Sequence, residues 1–191
     1  MPAALTTREE IVDQLFTVFR DHGFDGASMA DLSRATGLGK SSLYHYFPDG
    51  KNQMAEAVLD RATAIIDSEI LGMARAPESL KARIQKIIAV LNHMYAGGRT
   101  PCVLGQLASS QLGPDGRQGL RTAFSHWIEA IAILAKESGM PSTRAKDFAE
   151  DWVARVQGAL ILQAATGDLG AFGRSMDALM ALTKKSTRGS V

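Results

Sequence analysis

The chain has 191 residues, 46% of them hydrophobic, and a formal net charge of +1. This length allows one large domain or two small ones with a hydrophobic core, and the near-neutral charge does not by itself indicate a nucleic-acid partner. The single cysteine excludes an internal disulfide, and because there is neither a signal-peptide pattern nor an apolar stretch of the roughly twenty residues that cross a bilayer, we expect a soluble cytoplasmic protein without a membrane partner.

Helical periodicity runs through the whole sequence, and no segment has the alternation that is typical of a strand. We therefore predict an all-α fold. Residues 1–6 are expected to form a disordered arm. Thr7 is expected to cap a first helix over residues 8–22, whose first turn carries Glu9 and Glu10, and Gly23 is expected to end it.

A helix-turn-helix pattern follows at residues 28–50. Ser28 lies three residues before Asp31, a spacing typical of a capping box, so a second helix is predicted to begin at Met29. The sequence Thr-Gly-Leu-Gly at 36–39 breaks that helix, a third begins near Lys40, and Pro-Asp-Gly at 48–50 ends it. Two short helices around a glycine-containing turn are the signature of this motif, and with the first helix they predict a DNA-binding domain over residues 1–50.

The third helix has a polar face that suits DNA. Leu43 and Phe47 recur on one side and can anchor the helix to a small core. An ordinary helical hairpin would explain these two and Tyr46 as core residues, but not an exposed Tyr44 beside His45. The side opposite Leu43 carries the hydroxyl, phenol and imidazole groups that bind base edges, on Ser41, Ser42, Tyr44 and His45.

The remaining residues, 51–191, are predicted to form a second domain of about six helices. The first of these, over residues 51–74, contains no proline and is roughly 35 Å long at about 1.5 Å per residue. Further helices are predicted over residues 78–96, 102–112, 117–138, 142–166 and 169–183, with a turn at residues 113–116. The polar tail, residues 184–191, is expected to fray.

Residues 8–51 resemble the DNA-binding domain of the tetracycline-repressor (TetR) family of transcriptional regulators. The family usually has two residues between the phenylalanine that ends the third helix and the next lysine. This chain has three, Pro48-Asp49-Gly50, which resembles the LmrA-like subgroup. The resemblance implies that Lys40, Tyr46 and Lys51 contact phosphates, with Ser28 near the DNA backbone. The matching segments are the helix with Phe16 and Phe19, Gly23-Phe24, Ser28-Met29-Ala30-Asp31-Leu32, Gly37-Leu38-Gly39-Lys40, Leu43-Tyr44-His45-Tyr46-Phe47, and Lys51.

The predicted binding mode requires a homodimer. One reading helix contacts only a few base pairs, so useful affinity for operator DNA needs two half-sites, commonly about one helical turn of 34–36 Å apart. The segments Trp152–Ala165 and Leu169–Leu182 are predicted to pair with their copies in a four-helix bundle, because Leu160–Leu162 is apolar all round. The alternative is that these residues fill the core of one protomer. The predicted interface residues are Trp152, Val156, Leu160, Ile161, Phe172, Met176, Leu179 and Met180.

The TetR resemblance also implies a repressor that a small effector, bound among the C-terminal helices, releases from DNA. Methionine, aromatic and small polar side chains on helices expected to converge there suit a neutral, largely apolar ligand. A methionine and aromatic stripe is equally typical of a packed core, so both interpretations stay open. The candidate effector-binding residues are Met73, Met94, Tyr95, Cys102, Gln106, Phe124 and Trp127.

No catalytic constellation is present in the sequence. It contains no nucleophile elbow and no P-loop, and its four histidines lack the spacing of metal ligands. We therefore expect neither an enzyme nor a bound metal or cofactor. Two alternatives to the ligand-released repressor remain: a constitutive repressor without an effector, and a helical small-molecule-binding protein with a vestigial helix-turn-helix.

Overall fold

The computed structural model describes residues 7–184, and the predictions for the arm at 1–6 and for most of the tail lie outside this range. Within it the chain is built from helices and contains no strand, which confirms the all-α prediction. A π-helical turn, Asp67–Leu71, separates α4 from α5, and short 3₁₀ turns follow α6 and α10 at Ala96–Gly98 and Ala181–Thr183. The helices are α1 (Arg8–Gly26), α2 (Met29–Thr36), α3 (Lys40–Tyr46), α4 (Lys51–Ile66), α5 (Gly72–Arg75), α6 (Leu80–Met94), α7 (Val103–Ala108), α8 (Pro114–Glu137), α9 (Ser142–Thr166) and α10 (Gly170–Met180).

Two of the predicted boundaries are wrong near residue 110. The segment 113–116, expected to be a turn, contains the start of α8, because proline fits the first helical position, where its fixed φ is suitable and its missing N–H is not needed. The helix expected over residues 102–112 is shorter and ends at Ala108. The bounds of α9 agree with the prediction.

The helix predicted over residues 51–74 is continuous but contains the π-helical turn. Ile66 and Gly72, which flank the turn, both have α-helical backbone angles, and the Gly72 N–H donates to the carbonyl of Asp67, five residues back. The side chain of Asp67 lies 2.7 Å from Nδ1 of His126 in α8. Arg75, at the end of α5, pairs with Glu129 of α8 at 2.5 Å. Side chains of α8 thus hold this part of the helix at two points.

The chain forms two compact units, and the boundary between them differs from the one predicted at residue 50. The first comprises residues 7–64 and 102–124, and the second comprises residues 65–101 and 125–184. The first unit is discontinuous because α7 packs along α1. None of the described helices is both long and apolar enough to cross a membrane.

In the first unit, polar contacts fasten the residues after α7 to the end of α1. The backbone N–H of Phe24 donates to Oγ of Ser110 at 3.3 Å, and the carboxylate of Asp25 accepts from the N–H of Gln111 at 3.2 Å. Ser110 in turn donates to the carbonyl of Gln106, inside α7, at 3.0 Å. The end of α1 is therefore connected directly to α7.

Aromatic side chains form the core of the second unit. Tyr95 stacks on Trp127 with ring centroids 6.4 Å apart, and Trp127 meets Trp152 edge-to-face at the same separation. Phe172 packs edge-on against Tyr95, 6.1 Å away, and fits only because position 98 is a glycine. The indole N–H of Trp152 donates to the carbonyl of Ser175 at 2.7 Å, which joins α9 to α10.

Most of the predicted dimer-interface residues lie in this core. Ile161 is 69% exposed, Leu162 beside it is 53% exposed and Met180 is half-buried. The apolar sequence around residue 160 thus serves two surfaces of α9, one facing the protomer interior and one facing outward. The predicted interface side chains that are buried within the protomer, which favours the alternative that they fill its core, are Trp152, Val156, Leu160, Phe172, Met176 and Leu179.

One arginine is buried in the second unit. The Arg83 guanidinium donates to the backbone carbonyl of Ala74 at 2.6 Å and pairs with the half-exposed carboxylate of Glu137. A buried charge requires such partners, since removing it from water without them is costly. Arg83 thereby ties the end of α5 to α8.

Candidate nucleic-acid interface

The first element of the interface, α2, begins as predicted with a capping box. Oγ of Ser28 accepts from the N–H of Asp31 at 3.1 Å, and the Asp31 carboxylate accepts from the N–H of Ser28 at 3.1 Å. The hydroxyl of Ser28 also donates to that carboxylate at 2.5 Å, so it is engaged in the cap rather than directed only toward a DNA backbone. The hydroxyl and N–H of Ser28, followed by Arg34 at 2.9 Å, hold the pKa of Asp31 below its usual value. An ionised Asp31 therefore belongs to the folded cap.

The turn between α2 and α3 is set by two glycines. Gly37 ends α2 in the left-handed conformation, with φ of 66°, which glycine adopts without the steric cost that other residues incur. Gly39 precedes α3 in an extended conformation. The two short helices and this turn form the predicted helix-turn-helix.

The two sides of α3 divide as its sequence indicates. Leu43 and Phe47 are fully buried. Tyr46 is half-buried, and its ring meets that of His45 edge-on at 5.8 Å. The remaining polar side chains of the helix, Lys40, Ser41, Ser42, Tyr44 and His45, are exposed.

Lys51, predicted as a phosphate contact, is less exposed than the exposed polar side chains of α3. Its side chain is half-buried, with Nζ 4.6 Å from the centroid of the Phe24 ring. Burial lowers the pKa of Lys51, and the nearby carboxylate of Asp25 opposes that effect. Lys51 thus helps to join the start of α4 to the end of α1, and this structural role was not apparent from the sequence.

Arg8 is a basic residue near the interface that no sequence pattern indicated. Its guanidinium lies over the ring of Phe47, 5.2 Å from the centroid, although 39 positions separate the two residues in the chain. The cation is thereby placed at the carboxyl end of α3. No local pattern could have identified it, because the contact depends on how α1 packs against α3.

The predicted effector-binding residues are divided between the units. Cys102, Gln106 and Phe124 belong to the first unit and the other four, Met73, Met94, Tyr95 and Trp127, to the second. Tyr95, Cys102 and Trp127 are buried, and the remaining four are half-buried. Two clefts of about 340 and 380 Å³ in the first unit have mainly polar and charged linings, and none of the seven residues lines either of them.

Comparison with known proteins places both parts of the chain in one family. Residues 11–58 match the family model for bacterial regulatory proteins of the tetR family, and residues 76–177 match that for the C-terminal domain of LmrA/YxaF-like transcriptional regulators. An uncharacterized HTH-type transcriptional regulator in the lacX 3′ region of Lactococcus lactis is 28% identical over 179 residues, covering 91% of each chain. The HTH-type transcriptional regulator LmrA of Bacillus subtilis is 22% identical over 160 residues, covering 82% of this chain and 85% of LmrA.

Solved structures show the same fold at low sequence identity. A TetR transcriptional regulator from Legionella pneumophila superposes with a TM-score of 0.84 at 20% identity, covering 95% of this chain and all of the other. A TetR-family regulator from Agrobacterium tumefaciens gives a TM-score of 0.76, also at 20% identity, over 91% and 97% of the two chains. Because the LmrA/YxaF-like family model alone spans more than half of the chain, the protein belongs to the TetR family as an LmrA-like member, and is thus a DNA-binding transcriptional regulator and not an enzyme.

Proposed function

We propose that the protein represses transcription by binding operator DNA through α3, with Ser41, Ser42, Tyr44 and His45 in the major groove. The observation that carries this proposal is the polar, exposed side of a short helix whose other side is fully buried. In this placement Lys40, Tyr46 and Lys51 contact phosphates. Ser28 lies near the DNA backbone, with its hydroxyl still in the capping box. We also propose a cytoplasmic location, because the operator DNA lies there.

Substitutions in and beside α3 are expected to separate base reading from phosphate binding. The specific target is a duplex selected from random sequences by the wild-type protein. Tyr44→Ala should weaken binding to this duplex by about 1–3 kcal/mol and leave the affinity for an unrelated duplex unchanged. Lys51→Ala should weaken both and reduce the salt dependence by about one charge. Titrations at several salt concentrations measure these effects.

His22→Ala, which removes another exposed ring from the first unit, is the control for Tyr44→Ala, and Lys146→Ala is the control for Lys51→Ala. Urea unfolding of each variant separates lost contacts from lost stability, since Lys51 also packs on Phe24. If both Tyr44→Ala and Lys51→Ala bind the selected duplex like the wild type, the assignment of α3 is wrong.

We propose further that the homodimer forms through the outward side of α9 together with α10. Small and apolar residues recur along that side at the spacing of one helix face, which allows close approach of a second copy. Ile161 and Leu162 supply its large side chains, and half-buried Met180 supplies one from α10. On α9 this outward stripe consists of Ala154, Gly158, Ile161, Leu162 and Ala165.

A small neutral effector is proposed to release the protein from DNA. Support comes from α7, which carries Gln106, follows directly on Cys102 and packs along α1. The hydrogen bonds of Ser110 and Asp25 join the end of α7 to the end of α1, which leads into the helix-turn-helix. A ligand that displaces α7 would therefore act on the DNA-binding helices, provided that it binds one conformation better than the other.

This regulatory proposal is tested by titrating neutral apolar compounds while following tryptophan fluorescence and affinity for the selected duplex. An inducer is expected to change both, and DNA must weaken its binding by the same factor. Gln106→Ala should weaken its binding, whereas the exposed Gln111→Ala serves as control. If a broad set of compounds leaves both signals unchanged, the protein is a constitutive repressor.

A further inference from the structure

The turn between α3 and α4 holds a buried glycine. Gly50 has φ of +66°, its N–H donates to the carbonyl of Phe47 at 2.9 Å, and its carbonyl accepts from the N–H of Met54 at 3.1 Å. The neighbouring N–H of Asp49 donates to the side chain of Gln53 at 3.1 Å. Hydrogen bonds on both sides therefore fix the backbone of this turn.

Gly50 is buried because the ring of Tyr44 lies against it. A Cβ atom at position 50 would lie 3.1 Å from Cε1 of Tyr44 and 3.7 Å from its hydroxyl oxygen, and the first distance is shorter than ordinary van der Waals contact. Tyr44 is nonetheless 46% exposed, so part of the ring packs on the turn while the rest faces solvent. The ring of Tyr44 is thus packed against the turn already in the free protein.

We propose that Gly50 is a positioning residue that sets the direction in which Tyr44 meets DNA, an inference that rests on the proposed role of Tyr44 in base reading. Since hydrogen bonds fix the turn, a methyl group at position 50 would have to displace the ring rather than the backbone. Holding a contact side chain in its binding geometry lowers the cost of ordering it on binding. The three-residue segment Pro48-Asp49-Gly50 would then have a specific role, because its last residue supplies the surface on which the ring rests.

The first test compares Gly50→Ala with Gly139→Ala. Both glycines have positive φ, +66° and +101°, so alanine strains the backbone at each, but position 139 lies outside the DNA-binding helices and a Cβ there meets no atom within 4 Å. For the duplex selected from random sequences by the wild-type protein, Gly50→Ala should lose about five- to tenfold in affinity and Gly139→Ala less than about twofold. Equal losses in the two variants would overturn the proposal, because strain alone would then account for them.

A double substitution tests whether Gly50 acts through Tyr44. In a Tyr44→Ala background, adding Gly50→Ala should change affinity for the selected duplex by less than about twofold, since no ring remains to be displaced. An undiminished loss in that background would overturn the proposal. If Tyr44→Ala alone binds like the wild type, the proposed role of Tyr44 in base reading fails. If it binds weakly while Gly50→Ala binds normally, only the positioning role fails.

The position of the ring can also be followed without DNA. The chain has three tyrosines, so labelling with 3-fluorotyrosine gives three fluorine resonances, and Tyr44→Phe identifies the one from Tyr44. Gly50→Ala should shift that resonance in the free protein, whereas Gly139→Ala should leave it in place. An unshifted Tyr44 resonance in folded Gly50→Ala would overturn the proposal.

Discussion

Ile161→Glu is expected to give a folded monomer that has lost operator binding. Ile161 is 69% exposed in the protomer, so a carboxylate there stays in water while the chain is alone. In the proposed dimer it would be removed from water, and two-fold symmetry would bury two such charges. Each costs about 3 kcal/mol or more when it has no partner. Two linked reading helices gain about 10²–10⁴ in avidity, so affinity for the selected duplex should fall by about 100-fold or more.

Sedimentation at micromolar concentration measures the change in mass, and circular dichroism reports whether the helices persist. Thr143→Glu is the matched control, since it adds the same charge to an exposed position in the first turn of α9, far along the helix from Ile161. A folded Ile161→Glu variant that remains dimeric would contradict the proposed interface. Loss of the dimer in both variants would mean that the effect is not specific to the proposed interface.

Trp152→Ala is expected to destabilise the protomer by about 3–5 kcal/mol, the usual cost of removing a large buried aromatic side chain. Trp152 is 2% exposed and packs edge-to-face on Trp127. Its loss also leaves the carbonyl of Ser175 without the donor that it has at 2.7 Å. The substitution therefore combines a cavity with an unpaired buried acceptor.

Urea unfolding at one fixed protein concentration measures this loss, because the stability of a dimer depends on concentration. Trp152→Phe keeps an aromatic ring but removes the donor, and should cost about 1–2 kcal/mol. The sequence alone predicts Trp152 at the dimer interface. If Trp152→Ala kept its unfolding free energy per protomer and became a monomer, that prediction would be right and the core assignment wrong.

The parts of the fold that depend on near neighbours in the chain could be predicted from the sequence. The capping box of Ser28 and Asp31 closes within three residues, and the left-handed Gly37 ends α2 where the glycine predicts it. The burial of Leu43 and Phe47 follows from helical spacing alone. Local chemistry decides these features, so a local pattern is enough to find them.

The parts that depend on distant packing could not be predicted. Around residue 160 apolar residues occur on every side of α9. The hydrophobic periodicity therefore cannot show that Leu160 is buried and Ile161 is exposed. The positions of Arg8 over Phe47 and Lys51 over Phe24 depend on the way helices cross. In the effector prediction, Trp127 could be assigned to a helix, whereas Tyr95 lies just after the end of α6, and the stacking of the two rings was visible only in the folded chain.

Because α7 packs on α1, the first unit can be completed only after much of the chain has been synthesised. A ribosome that has completed residue 64 has synthesised the whole helix-turn-helix, but it has not yet made residues 102–124, which complete the same unit. At about 5–20 residues per second, the missing segment is finished roughly 3–12 seconds later. During that interval the groups on α1 that receive α7 are open to solvent, so the first unit cannot complete its packing until residue 124 has been made.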